Sequence, residues 1–457
     1  MSAVQTEIRD EASLHALAEQ VLAQARQVGD AAQVTLRGET AHLTRFAGNR
    51  IHQNVSECDL SVSVRVALGQ KLGEASTNDL SPAGLRDAVA RAAAIARLHA
   101  PDPDFPGFAP RYGIDPIPLA HSPRTRGFEP VDRARVVAHV CRDAALEGLT
   151  AAGAFQTGVR QLAIATSEGA WAHHLGTTAH FNTVVMGEDS SGWAADTHLD
   201  AGLIDGEALA EEAIDRAMRS RHPVDLEPGE YPVILEEYAV LELLSYLGRA
   251  FGAEDVAEGR SFLSGRSGEP LIPSALTIID DPRDVNGLPV PFDDEGVPSR
   301  RVPLFEHGVA GHPVHDRRSA LAAGCSSTGH HVAGGAFWKS GPRAAHVQML
   351  PGHASKDEML QATDRGILVT RFHYVNQLDP RRTLLTGMTR DGTFLVEGGK
   401  VVRPLRNLRF TQAWLEALQG VDMVGRTTKL GLNWAGGACR APALRVGRFR
   451  FTGKTTF

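Results

Sequence analysis

Between Ala32 and Thr77 the chain sets β-rich runs directly one after another: Gln33 to Arg37, Leu60 to Ala67 and Lys71 to Ser76, separated by Gly38, Gly48 and Gly69. Strands that succeed each other with no helix between them are joined by hairpins, so this stretch predicts an antiparallel meander. Helical patterns flank it. Leu14, Leu17, Val21, Leu22 and Ala25 fall on one face of an amphipathic helix within Glu7 to Val28. Downstream, Asn78-Asp79-Leu80-Ser81-Pro82 supplies a capping residue and a first-turn proline for a helix running to about Leu98.

Pro101, Pro103, Pro106, Pro110, Pro116 and Pro118 then predict a linker hostile to helix, taken as residues 101–125. Beyond it the plan recurs: a helix near Pro130 to Leu149, β-rich runs from Ala151 to His198, and a helix near Glu207 to Arg219. Asp87-Ala88-Val89-Ala90-Arg91-Ala92 and Glu212-Ala213-Ile214-Asp215-Arg216-Ala217 end the two halves in similar words. Two readings stand: tandem units over 1–100 and 126–222, or two Ala-rich helices alike only in composition. Pro223, Pro228 and Gly229 mark a second boundary before a strand at Tyr231 to Leu235. Residues 223–457 are strand-rich, with hairpin signals at Glu306-His307-Gly308 and Glu397-Gly398-Gly399. The expected class is α+β: N-terminal helix-and-antiparallel-sheet units over 1–222, then a β-rich C-terminal domain over 223–457.

The 457 residues carry 47 basic and 54 acidic side chains, a net charge of −7 that gives no electrostatic basis for tight nucleic-acid binding. Cys58, Cys141, Cys325 and Cys439 are far apart and form no CxxC pair, which points to a reducing compartment. Met1 to Asp30 lacks an apolar signal-peptide core, and the most apolar stretch, Val233 to Leu247, is broken by Glu236, Glu237 and Glu242. A soluble cytoplasmic protein without a membrane partner is expected.

Seven of the 19 histidines, His307, His312, His315, His330, His331, His346 and His353, crowd into one short window, so metal ligation has to be weighed. His307 and His312 are five apart with Gly308 following the first, whereas a zincin helix needs histidines four apart and a glutamate. Gly308, Gly311 and Pro313 make the segment a turn, favouring hairpin and surface histidines over ligands. His173-His174, adjacent on a strand, point to opposite faces and make a poor chelating pair. No nucleophile elbow, P-loop or dinucleotide fingerprint occurs. Cys439, beside Arg440, reads as a buried structural thiol for want of a histidine partner.

Several strings, in this order, resemble the TldD/PmbA family: Ala75-Ser76-Thr77-Asn78-Asp79-Leu80, Pro291-Phe292-Asp293-Asp294-Glu295-Gly296-Val297-Pro298, Glu306-His307-Gly308-Val309, Ser327-Thr328-Gly329, Met349-Leu350-Pro351-Gly352 and Gly392 to Lys400. The resemblance spans nearly the whole chain. It implies a peptidase system in which a zinc-bearing TldD-type subunit pairs with a PmbA (TldE) type subunit that lacks the metal motif. The family's HExxxH motif, on the helix after the Tyr231 to Leu235 strand, falls here on Leu244-Ser245-Tyr246-Leu247-Gly248-Arg249. Leu244, Ser245 and Arg249 thus replace the two histidines and the glutamate, and the family's cysteine ligand falls on Cys439.

The resemblance therefore implies a metal-free homologue with no catalytic, cofactor-binding or metal-ligating residue of its own. Its partner would be a zinc-bearing TldD-type subunit or a second copy, and its substrate a peptide. An autonomous metal-dependent peptidase using His307 to His353, or a non-catalytic peptide-binding regulator, are the alternatives.

Overall fold

A computed structural model describes residues 8–334, 339–433 and 436–455. Glu7, where the first helix is expected to begin, lies outside them. Helix α1 spans Glu11–Ala25, and the Asp10 side chain accepts from the Ser13 N–H at 2.8 Å to close its open first turn. Strands β1 (Ala31–Ala47), β2 (Arg50–Leu68) and β3 (Lys71–Thr77) form the expected meander, antiparallel throughout. Helix α2, Pro82–Leu98, starts on a Ser81 cap with Pro82 in its first turn.

Gly38 does not break a strand. It sits within β1, opposite Leu60 of β2 and Gln161 of the next unit's first strand. A Cβ there would lie 3.4 Å from Gln161 Cβ, an ordinary van der Waals distance, so this glycine neither makes a turn nor relieves a close approach. Gly48 and Gly69, with φ of 60° and 58°, do make the turns.

The expected linker holds one 3₁₀ turn at Pro118–Ala120 and one helical turn at Pro123–Arg126. Then α3 (Pro130–Leu146), β4 (Thr150–Thr166), β5 (Trp171–Met186), β6 (Ser191–His198) and α4 (Gly206–Arg219) repeat the plan. The two units merge into one six-stranded sheet of order β3-β2-β1-β4-β5-β6, because β1 and β4 pair antiparallel along most of their length. Alternation then assigns the faces. Val34, Leu36, Ala163 and Ala165 pack with α1 and α2, while Phe155, Phe181 and Ala179 pack with α3 and α4. Gln33, Arg37, Leu162, Ile164 and His174 point the other way and meet the C-terminal half around Phe292 and Asp294.

That half is built on a ring. Strand β7 (Gly229–Leu235) runs parallel to β8 (Arg365–Asp379); β8 pairs with β9 (Leu384–Glu397), β9 with β10 (Leu408–Ala413), β10 with β12 (Ala438–Lys454), and β12 returns to β7. Strand β11 (Val421–Leu432) and short strands at Ile278–Asp280, Val302–Glu306, Val309–Ala310, Val347–Met349 and Lys400–Pro404 extend it to an 11-stranded sheet. Phe372, Phe410, Phe449 and Phe451 stack in its core. The two expected hairpins form at His307-Gly308 and Gly398-Gly399, all four residues at positive φ. Helix α5, Glu237–Arg249, follows β7 and packs on β8 and β12. The described residues contain no helix long and apolar enough to cross a membrane.

Candidate functional site

Helix α5 turns a broad apolar face inward. Val240, Leu243, Leu244 and Leu247 are all within 1% of complete burial. Leu244 carries no lone pair, the Ser245 hydroxyl donates to the Glu242 carbonyl at 2.8 Å, and Arg249 is exposed and 3.9 Å from Asp255. Gly248 lets the helix lie against the chain at 344–347, since a Cβ would stand 2.2 Å from the Ala344 carbonyl oxygen. Cys439 is buried; its sulfur accepts from Asn433 Nδ2 at 3.3 Å, and burial pushes the thiol up to about 12. A leucine, a backbone-bonded hydroxyl and a guanidinium at those positions leave Cys439 short of the three or four thiolate, imidazole or carboxylate donors that zinc takes. Among the described residues no group of three or more His, Cys, Asp and Glu is arranged to hold a metal ion.

The polar chemistry lies elsewhere. A cavity of about 370 Å³ opens where the bare face of the six-stranded sheet meets residues 280–346. At its inner wall Asp280, fully buried, faces His330 Nε2 at 2.9 Å and accepts from the His346 N–H at 2.7 Å. The other nitrogen of His330 is 2.9 Å from the Thr328 carbonyl. A carbonyl oxygen can only accept, so Nδ1 is the donor of that second bond.

Next to it, Asp293 folds the Asp293-Asp294-Glu295-Gly296 segment around its own carboxylate. Oδ1 takes the N–H groups of Glu295 and Val297, and Oδ2 that of His331 at 2.9 Å. Gly296, at φ 80°, permits the bend. Burial and the Glu295 charge raise the Asp293 carboxyl to about 7. Burial opposes protonation of His331, but the Asp316 hydrogen bond and the charges of Glu295 and Asp293 outweigh it and hold the ring at about 9. Asp294 ties the segment to the N-terminal sheet: Arg37 reaches its carboxylate at 2.7 Å and Gln33 its carbonyl at 3.1 Å.

One constellation has the form of a nucleophilic site. Asp316 lies 3.1 Å from His331 Nδ1, and the Ser340 hydroxyl 3.1 Å from His331 Nε2. An imidazole at about 9 is already protonated at neutral pH, so it donates to Ser340 and takes no proton from it. The arrangement pins a loop.

The histidine window therefore splits. His307, His312 and His353 are exposed, as a hairpin and surface reading requires. His330, His331 and His346, outside that turn segment, line the cavity because the chain re-enters the interior after the Ser327-Thr328-Gly329 turn. His173 and His174 do face opposite ways: His173 meets Gln161 and Glu11, while His174 lines the cavity with burial lowering it to about 4. Asp280, Asp316 and Arg343 were not singled out by sequence; the only signals were the Asp280-Asp281 pair closing an apolar strand and the His330-His331 doublet.

Three family models match the chain: PmbA/TldA metallopeptidase domain 1 over residues 34–96, the central domain over 129–221 and the C-terminal domain over 228–453. Metalloprotease PmbA of Escherichia coli O157:H7 is 24% identical over 406 residues, 85% of this chain and 86% of that protein. The metalloprotease TldD homolog of Buchnera aphidicola subsp. Acyrthosiphon pisum (strain APS) is 26% identical over 223 residues, 48% of this chain; the chain spans 46% of that relative's length. Among solved structures, TldE from Thermococcus kodakarensis superposes with a TM-score of 0.88 at 20% identity, over 96% of this chain and 100% of that one. A putative modulator of a DNA gyrase from Thermotoga maritima MSB8 gives 0.85 at 19% identity, with 96% and 100% covered. At these identities the likeness is one of fold.

Proposed function

This chain belongs to the PmbA/TldA metallopeptidase family, and from that footing we propose that it is a metal-free member supporting proteolysis by a zinc-bearing TldD-type subunit. The observation that carries this reading is helix α5, whose Leu244 is buried among Leu243, Leu247 and Val240 at the position where the resemblance puts a metal ligand. With Leu244 and Ser245 standing where the resemblance puts a histidine and a glutamate, the chain contributes by shaping a cleft and holding peptide. The region 1–222 supplies one wall of that cleft and 223–457 the other. Such a role requires a lasting interface, so the chain is a homodimer alone and a heterodimer with an HExxxH-bearing relative, in the cytoplasm. An autonomous peptidase built on His307 to His353 draws no support from the placement of His307, His312 and His353.

Elemental analysis after dialysis is expected to find no stoichiometric zinc. Mixing with a zinc-bearing relative should raise that relative's peptide cleavage, with co-elution in size-exclusion chromatography with light scattering. About one zinc per chain would overturn the metal-free reading; a monomer that leaves the relative's activity unchanged would overturn the subunit role and favour a peptide-binding regulator.

A further inference from the structure

The cavity between the two halves has an unequal account of charge. Asp280 is matched by His330, Asp294 by Arg37, Glu39 by Arg160 at 3.1 Å, and Asp293 by three backbone N–H groups. Arg343, which lines the same cavity, has no carboxylate within ion-pair distance among the described residues. One of its terminal nitrogens donates to the Lys339 carbonyl at 3.0 Å, while its Nε is buried with no partner. Burial and the neighbouring Arg249 lower its affinity for its proton, and Asp255 and Glu254, beyond ion-pair distance, offset this only in part. A buried donor left unmade is costly, and a guanidinium matches a carboxylate with two parallel N–H bonds.

His346 stands beside it on the same wall. Its backbone N–H is spent on Asp280, no hydrogen bond engages its ring among the described residues, and burial lowers the imidazole below its usual range. Such a ring can donate or accept. Leu162, Leu288, Val290, Phe292 and Val332 supply apolar wall. At about 370 Å³ the space is near the lower end of the roughly 300–1,000 Å³ of small-molecule sites, which suits one or two residues rather than a long segment.

We propose that this cavity binds the free C-terminal carboxylate of a short apolar peptide, with Arg343 as its anion anchor and His346 as the adjacent hydrogen-bonding group. The proposal rests on reading the chain as a peptide-handling subunit and specifies which end of the peptide it holds. Peptides with free carboxyl ends are the products of cleavage, so the site would retain or relay a product.

Calorimetric titration of the full chain alone, with N-acetyl-Leu-Leu and with its C-terminal amide, tests it. The acid should bind about tenfold or more tightly than the amide, the scale of a charge-assisted pair lost. Arg343→Gln should abolish that preference while leaving amide binding and thermal unfolding unchanged; Arg343→Lys, which keeps charge but loses the fork, should restore part of it. Equal binding of acid and amide, no heat from either at millimolar concentration, or a preference surviving in folded Arg343→Gln would each overturn the proposal. No zinc-bearing relative is present in the titration. Failure of the mixing experiment with the acid preference intact therefore removes the subunit role alone, and the converse removes this site alone.

Discussion

Leu244 has no accessible surface and sits in the same apolar cluster as Phe251, Phe305 and Val347. Truncation to alanine should leave a cavity and cost about 2–5 kcal/mol in a urea titration, with the slope unchanged. Leu244→His should also destabilise, since it buries an imidazole among leucines without a partner. Unaltered melts for both would mean that the inner face of α5 is not load-sharing core. Ser340 makes the complementary case, because its hydroxyl touches a histidine oriented by an aspartate and yet is not activated. A fluorophosphonate probe at pH 7 should leave Ser340 unlabelled; mass-spectrometric labelling there, lost in His331→Gln, would show the ring acting as a base. Individual residues were legible in sequence where a local pattern marked them, as with the opposite-facing His173 and His174 and the hairpin His307. Asp280 and His330, or Asp316 and His331, are paired by the fold across 50 and 15 residues with no local periodicity between them.

The loop 291–298 is an element held by protonation as well as by hydrogen bonds. His331 is raised from 6.5 to about 9 in the folded chain, so its contribution to stability is present below pH 6.5 and lost as pH rises through about 9. Asp293, raised from 3.8 to about 7, also binds its proton more tightly when folded, and its contribution fades as pH rises from about 4 through 7. Both act in the same direction. Urea stability of the wild type should fall between pH 6.5 and 9, and His331→Gln should flatten that segment of the profile; a parallel fall in the variant would assign the loss to other groups. Elements were the most legible scale. Capped helices such as Pro82–Leu98 and the glycine hairpins at 307–308 and 398–399 follow from local chemistry. Gly38 misled because a glycine in the middle of a strand looks, in sequence, like one needed for positive φ.

At the scale of the molecule, the two halves are joined by a charged cluster as well as by the cavity. Arg216 of α4 bridges Glu212 at 2.5 Å and Glu236 at 2.7 Å, and Lys356 and Lys429 reach Glu236 and Glu212 at 3.0 Å. Burial works against the charge on Glu236, but Arg216 and Lys356 prevail and hold it at about 2. Arg216→Met should leave that buried carboxylate half-paired and cost about 3–5 kcal/mol at neutral pH, with less effect once the pH falls below about 2. A difference independent of pH would point to lost packing against the Tyr238 ring instead. None of these long-range pairings was readable from the chain, because residue spacing says nothing about which surfaces meet. The ring of β7, β8, β9, β10 and β12 has a consequence for how the protein is made. Strand β12 closes it by pairing with β7 across more than 200 residues of sequence, so no order of synthesis lets the ring form early. At roughly 5–20 residues per second on the ribosome, β7 waits on the order of 10–40 seconds with a bare edge, while the six-stranded sheet before it already has all its strands. That interval is when the nascent chain is most exposed to aggregation, and when a chaperone has the most to shield.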